Sequence, residues 1–235
     1  MSSWRLVLAS LRHFRRTHAG WTMLATYDEI LAEEAGRVVG TGIDLHLAAR
    51  ATFERVHVRS SNGAGLISSD PDTLLTATDV RVDGMPPPMT TGFTGRGANI
   101  QLGGGFDCTR CVFRECAEVG VFLHGEGGFS TLRELVVENT MVGDTSGAAM
   151  GVVAVLGAIG DVERFVIHRN AVAGLQMASG GNLNIRDGVV AEHPIGVNVQ
   201  DATADPANLT DRVVYRDNER NLDSSGLPVP AAGPI

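Results

Sequence analysis

From residue 37 onward the sequence predicts an all-β solenoid, in which about seven coils of short parallel strands stack on one another. Two observations lead to this prediction. A glycine followed by apolar residues at the first and third positions after it recurs along the chain, and later in each repeat apolar and polar residues alternate. Alternation with a period of two is typical of strands, because successive side chains point to opposite faces.

The repeat glycines define the length of one coil. Four of the six intervals between successive glycines span twenty-two or twenty-three positions, and the other two exceed that by eight or nine. We expect surface loops where the interval is longer, at residues 85–95 and 141–149. The seven glycines are Gly42, Gly65, Gly97, Gly120, Gly151, Gly174 and Gly196.

A second alternating set in each repeat predicts another ladder of inward-facing side chains. Cys108 and Cys111 occupy positions that Phe, Val and Leu fill in other repeats, which predicts that they lie in the core. With Cys116 the chain has three cysteines, an odd number that does not indicate a disulfide framework. Three thiols also fall short of the four ligands of a structural zinc site.

Asparagines close to the end of each repeat predict a stacked turn. Asn139 and Asn170 each follow their glycines by nineteen positions and Asn62 by twenty. Asparagine tolerates left-handed backbone and bonds neighbouring backbone groups, which suits a tight corner.

The glycine-led strand, the apolar ladder and the asparagine turn together resemble the right-handed parallel β-helix family, which includes pectate-lyase-like and tailspike-like proteins. The resemblance covers residues 38–222 and implies a single right-handed parallel β-helix. A leucine-rich repeat is the structural alternative. Val162, Phe165, Ile167 and Asn170 match its spacing, but other repeats break it.

The two ends of the chain differ from the repeats. Apolar residues at three- and four-residue spacing near the start predict an α-helical cap over residues 1–36, ahead of the solenoid at 37–222. Residues 223–235 are rich in proline and glycine and are predicted to be a tail or linker. The longest weakly polar run, at positions 147–160, is shorter than the about 20 residues that a transmembrane helix needs.

Composition excludes several functions. The formal net charge is −8, so the chain gains nothing from releasing the counterions of a nucleic acid, and no nucleic-acid partner is expected. No lysine occurs, which removes Schiff-base chemistry.

Outward positions of the first strand predict the ligand-binding site. Residues two and four positions after the glycines form two columns that are polar in the early coils, and amide and imidazole groups of this kind suit sugar hydroxyls. The predicted ligand-binding residues are Asp44, His46, Asn99, Gln101, Phe122, His124 and Glu126.

The leading hypothesis is that the chain is a structural or binding repeat protein, exported and displayed at a bacterial surface, without metal or cofactor. This hypothesis includes no catalytic residue, because the catalytic motifs of polygalacturonases, alginate epimerases and pectate lyases are missing. The alternative is a carbohydrate-active enzyme of the lyase or epimerase type, with His124 as the base, Glu126 as its partner and calcium as a possible cofactor. A polysaccharide, or a protein bound through the loops at 85–95 and 141–149, is the expected partner.

Overall fold

The structure is a computed structural model that describes residues 41–59, 61, 63–85, 95–143, 146–202 and 204–232. It also describes the backbone of three short strands between residues 21 and 39. The described part of the chain is all-β apart from one short 3-10 helix, Pro206–Leu209. The all-β prediction is confirmed.

The strands are numbered in chain order. They are β1 (Trp21–Thr22), β2 (Ala32–Glu34), β3 (Arg37–Val39), β4 (Ile43–Leu45), β5 (Arg50–Glu54), β6 (His57–Arg59), β7 (Ala64–Ser69), β8 (Leu74–Met85), β9 (Arg96–Gln101), β10 (Gly105–Cys116), β11 (Val119–His124), β12 (Phe129–Glu138), β13 (Met150–Val155), β14 (Ile159–His168), β15 (Ala173–Ala178), β16 (Asn182–Ala191), β17 (Ile195–Val199), β18 (Asp211–Arg216) and β19 (Arg220–Asp223).

From β7 onward, successive strands alternate between two parallel sheets, so each pass of the chain adds a strand to both. The first sheet has the order β4-β7-β9-β11-β13-β15-β17-β19. The second sheet has the order β1-β5-β8-β10-β12-β14-β16-β18, with β6 also paired to β8. Within these two sheets, parallel pairing of each strand with the equivalent strand one pass later is a solenoid-like arrangement.

Each repeat glycine lies at the start of a first-sheet strand, where the backbone of the next coil comes very close. A Cβ atom on Gly65 would lie 2.7 Å from the carbonyl oxygen of Gly97, and one on Gly174 would lie 2.7 Å from that of Gly196. No side chain fits there. The recurring glycine is therefore a steric requirement of coil stacking, and the predicted repeat is confirmed.

The core runs along the interior between the two sheets. The inward residues of the first sheet are buried, with Ile100 at 1%, Leu123 at 0% and Met177 at 0% exposure. Second-sheet residues such as Phe113 and Val137 pack in the same cluster. Burial of these continuous aliphatic ladders supplies the main stabilisation of the fold.

The cysteines lie in this core, as predicted. Cys108 and Cys111 are 2% and 0% exposed, and they also form a disulfide across the bend at Arg110, which the sequence argument did not foresee. Cys116 is a free thiol, and its burial raises the pKa of that thiol.

The asparagine column is displaced from its predicted register. Asn170 accepts a hydrogen bond from the backbone N–H of Thr140 (3.0 Å), so Thr140, not Asn139, is its neighbour in the stack. The cause is a turn length: His124 pairs with Val155, but Phe129 pairs with Ile159, so the turn after β11 is one residue longer than the turn after β13. Asn62 lies outside the described residues.

The predicted helical cap over residues 1–36 lies mostly outside the described residues. Where backbone is described there, it is strand: β1 pairs in parallel with β5, and β2 pairs antiparallel with β3. The helical prediction is wrong for these residues. The strand β1 extends the second sheet beyond its first coil.

Candidate functional site

The two predicted columns of the first sheet exist with the predicted register. Phe122 pairs with Asn99 on one side and Val153 on the other, and His124 pairs with Gln101 and Val155. Side chains two residues apart on one strand therefore stack with their equivalents in the neighbouring coils. The sequence spacing placed these residues correctly relative to one another.

This face of the first sheet is not open to solvent. Asn99 is 2% exposed, and Gln101, Phe122, Gln176 and Asn198 are at 0%. Outward apolar residues of β11, β13 and β15 form a second apolar cluster on this side of the sheet, which Leu227 packs against. Ligand binding by Asn99, Gln101 and Phe122 stays a prediction, and it requires their cover to move away.

The cover includes the C-terminal strap, which we define as residues 224–232. The strap lies against the outer face of the first sheet, which we call the strap-binding face. Four side chains of this face donate hydrogen bonds to backbone carbonyls of the strap: Asn198 to Ser225 (3.0 Å), Gln200 to Leu227 (3.0 Å), Gln176 to Pro228 (3.2 Å) and Arg96 to Ala231 (2.5 Å).

The second inserted loop contributes to the same cover. Ala148 and Ala149 are fully buried, and Ala148 belongs to the second apolar cluster. Met141 and Val142, at the other end of this loop, remain 44% and 49% exposed. The loop predicted at 141–149 as a partner contact is thus partly engaged with its own sheet. Residues 86–94 of the other loop lie outside the described residues.

A buried ion pair lies at one end of the strap. Arg96 is 0% exposed, and its Nε donates to Glu118 Oε2 at 2.6 Å while Nη1 donates to Asn99 Oδ1 at 3.0 Å. The guanidinium also stacks over the Phe122 ring at 3.9 Å. Desolvation lowers the pKa of Arg96 and Glu118 opposes this, but a guanidinium stays protonated in proteins. With Ala231 as a further acceptor, the buried charge is paired and hydrogen-bonded.

His124 lies beside this ion pair at the edge of the covered region. Its ring centroid is 5.6 Å from that of Phe122. Burial, followed by the positive charge of Arg96, lowers the pKa of the His124 ring, which favours the neutral imidazole. Its Nδ1 atom is buried and has no hydrogen-bond partner among the described residues.

The structure does not join His124 to Glu126. Glu126 is exposed in the turn between β11 and β12, and no hydrogen bond or ion pair links the two side chains within the described part of the chain. Asp44 and His46 form a separate pair in the first coil, with Oδ1 to Nε2 at 2.5 Å. The predicted site residues therefore fall into separate groups.

A line of charges on the second sheet, which we call the charged corner column, was not predicted from the sequence. Its members have left-handed backbone, with φ from 52° to 56°, and acidic and basic residues alternate from coil to coil. A signal was present, since the first six members follow their repeat glycines by thirteen or fourteen positions. The column is Arg55, Asp79, Arg110, Glu134, Arg164, Asp187 and Arg212.

Neighbours in the charged corner column form ion pairs. Arg110 donates to Asp79 through Nε (2.5 Å) and Nη2 (3.0 Å), and this bond holds the pKa of Asp79 below its usual range. Arg212 makes the same two-pronged contact with Asp187. Each acid is matched by a base in an adjacent coil, so the column offers no unpaired charge that suggests a catalytic group.

Comparisons with protein-family models, curated proteins and solved structures returned no match to this chain. Among the described residues, no group of three or more His, Cys, Asp or Glu side chains is placed to hold a metal ion. The same residues include no helix long and apolar enough to cross a membrane.

Proposed function

We propose that this chain is a right-handed parallel β-helix repeat protein that acts without catalysis, in a structural or binding role. The supporting observation is the cover over the first sheet. The polar groups that an enzyme of this shape would present to a polysaccharide are instead buried, and Gln176, Asn198 and Gln200 use side-chain donors on the strap. Buried polar groups with satisfied partners contribute to fold specificity and stability.

A second candidate is a carbohydrate-active enzyme at His124. Two observations favour this candidate, because a neutral imidazole can accept a proton: the pKa of His124 is lowered, and its Nδ1 has no hydrogen-bond partner within the described part of the chain. In a lyase reaction, His124 would take the proton beside the uronate carboxylate and a C=C bond would form as the glycosidic C–O bond breaks. The departing oxygen would keep the electron pair of that bond and take a proton from solvent water. Glu126 is exposed nearby in sequence but lacks a contact with His124.

Turnover of uronate polymers distinguishes the two candidates. The full chain is incubated with polygalacturonate and with alginate, with and without calcium, and the ultraviolet absorbance of unsaturated product is followed. We expect no product. Product that disappears in His124→Ala would overturn the proposal. The matched control is His57→Ala, which removes a histidine on the second sheet that is paired with Asp83 and is not one of the predicted ligand-binding residues.

A further inference from the structure

The strap is bound through its backbone carbonyls. All four hydrogen bonds from the strap-binding face run from side-chain N–H groups to strap carbonyl oxygens. The strap is not a strand of either sheet. The face therefore recognises a backbone that presents acceptors, and it does so without adding a strand to a sheet edge.

A proline-containing segment suits such a face. Proline lacks a backbone N–H, so Pro228 and Pro230 leave no backbone donor that would need an acceptor on the face. Proline also favours the polyproline II conformation, whose backbone carbonyls point outward and are free to accept hydrogen bonds. The side chains of Gln176, Gln200 and Arg96 donate hydrogen bonds to such carbonyl groups.

Two side chains of the strap are held more deeply than the rest. Leu227 is half-buried against the second apolar cluster, and Pro230 is buried, whereas Pro228, Val229 and Ala231 are exposed. Leu227 and Pro230 are three residues apart, which is one turn of a polyproline II helix, so both can point to the same side. The occupied pattern is Leu-Pro-x-Pro.

The strap can leave without breaking either sheet. The strap contacts the strap-binding face through the four carbonyl hydrogen bonds and through the side chains of Leu227 and Pro230. Most of its remaining residues are exposed. Segments with few buried contacts open at a small fraction of the global unfolding free energy. Its removal would take Leu227 away from the second apolar cluster and the Ala231 carbonyl away from Arg96.

We propose that the strap-binding face is a docking site for an extended Leu-Pro-x-Pro peptide of a partner protein, and that the strap is its resident occupant. This inference rests on the proposed binding role. A partner segment of the same chemistry would compete with the strap, so the strap weakens partner binding by the free energy of its own docking.

Binding of a labelled peptide with the sequence of residues 224–232 tests the proposal by fluorescence anisotropy. In the full chain, Leu227→Asp with Pro230→Asp removes both seated side chains and releases the strap. We expect this double variant to bind the peptide at least about tenfold more tightly than the unchanged chain. Adding Gln200→Leu to the double variant should weaken the peptide again. The matched control is Val229→Asp, at an exposed strap position, which should bind the peptide as the unchanged chain does.

Failure of the double variant to bind the peptide, with the circular dichroism of the unchanged chain retained, would overturn the proposal. If the double variant does not fold, hydrogen exchange on the unchanged chain decides. Excess peptide should speed exchange of the Leu227 amide, and a peptide with both aspartates should not. Unchanged exchange at Leu227 would overturn the proposal. Neither result affects the proposed non-catalytic role, which turnover of uronate polymers tests separately.

Discussion

Gly120 lies where one coil meets the next and where the two sheets approach each other. A Cβ atom there would lie 2.7 Å from the carbonyl oxygen of Gly151 and even closer to Cγ1 of Val137. Both neighbours are held by the stack, so neither can move away easily. We expect Gly120→Ala to lower the free energy of unfolding by about 1–3 kcal/mol, because overpacking a filled site forces backbone shifts. Urea denaturation measures this change.

The same substitution at Gly226 is the control. A Cβ atom on Gly226 has no heavy atom within 4 Å, so Gly226→Ala should leave the urea midpoint nearly unchanged. Equal effects at the two glycines would show that the close approach at Gly120 does not limit the side chain.

His193 lies in a buried turn, and its protonation makes the stability of the fold depend on pH. Its Nδ1 accepts a hydrogen bond from the N–H of Asn170, and its Nε2 donates to the carbonyl oxygen of Ile167, both at 3.1 Å. Burial is the main cause that lowers the pKa of the His193 ring. The unfolded chain, with a histidine pKa of about 6.5, therefore binds the proton more readily than the folded chain. Stability is fully present above that pKa and is lost as the pH falls below it.

The change is measured as the free energy of unfolding from about pH 7.5 to about pH 5, a range in which histidine titrates. We expect the loss of stability on acidification to be smaller in His193→Gln than in the unchanged chain. His57→Gln, at a more exposed histidine, serves as the comparison. An identical pH dependence in His193→Gln and the unchanged chain would exclude His193 as the cause.

At the scale of strands, the charged corner column bends each long strand of the second sheet at the same level. Asp187 lies between Arg164 and Arg212 in this column, and its pKa is lowered chiefly by the hydrogen bond from Arg212. Asp187→Arg would place three arginines in consecutive coils. We expect a lower melting temperature, with a smaller change than Gly120→Ala causes, because exposed ion pairs contribute little.

Salt provides the check on this charge reversal. At 1 M salt the screening length shortens to about 3 Å, so the difference in melting temperature between Asp187→Arg and the unchanged chain should shrink. Glu219→Arg makes the same charge change at an exposed position outside the column. A deficit that persists at high salt would indicate that backbone strain, and not repulsion, is responsible.

The first-sheet strands of the solenoid and their register could be predicted from the sequence, whereas the exposure of their outer face could not. Gly-to-Gly spacing places Asn99 beside Phe122, because pairing in a solenoid is local in sequence. The cover comes from distant residues: the partner of Arg96 in the strap lies 135 positions away. No repeat pattern encodes that contact. A proline-rich tail is also typical of a linker, so composition alone indicated the wrong role for the strap.

At the scale of the whole molecule, the two ends of the stack differ. The edge of β5 is paired with β1, while β18 pairs only with β16 and β19 only with β17 among the described strands. Leu222 on β19, which pairs with the buried Val197 and so occupies an inward position, is 57% exposed. A shallow cavity of about 490 Å³ lies at the same end, with Val199 and Leu209 in its lining. The core is thus less complete at the C-terminal end than in the middle.

This asymmetry predicts a gradient of hydrogen exchange along the stack. In a solenoid each coil is stabilised by its neighbours, so a coil with a neighbour on one side opens at lower free energy than a coil enclosed on both. We expect amides of β19 and β18 to exchange fastest, those of β5 more slowly, and those of β12 and β14 slowest. Exchange followed by mass spectrometry on the full chain measures the order. Equal protection of β19 and β14 would mean that the stack opens only as one cooperative unit.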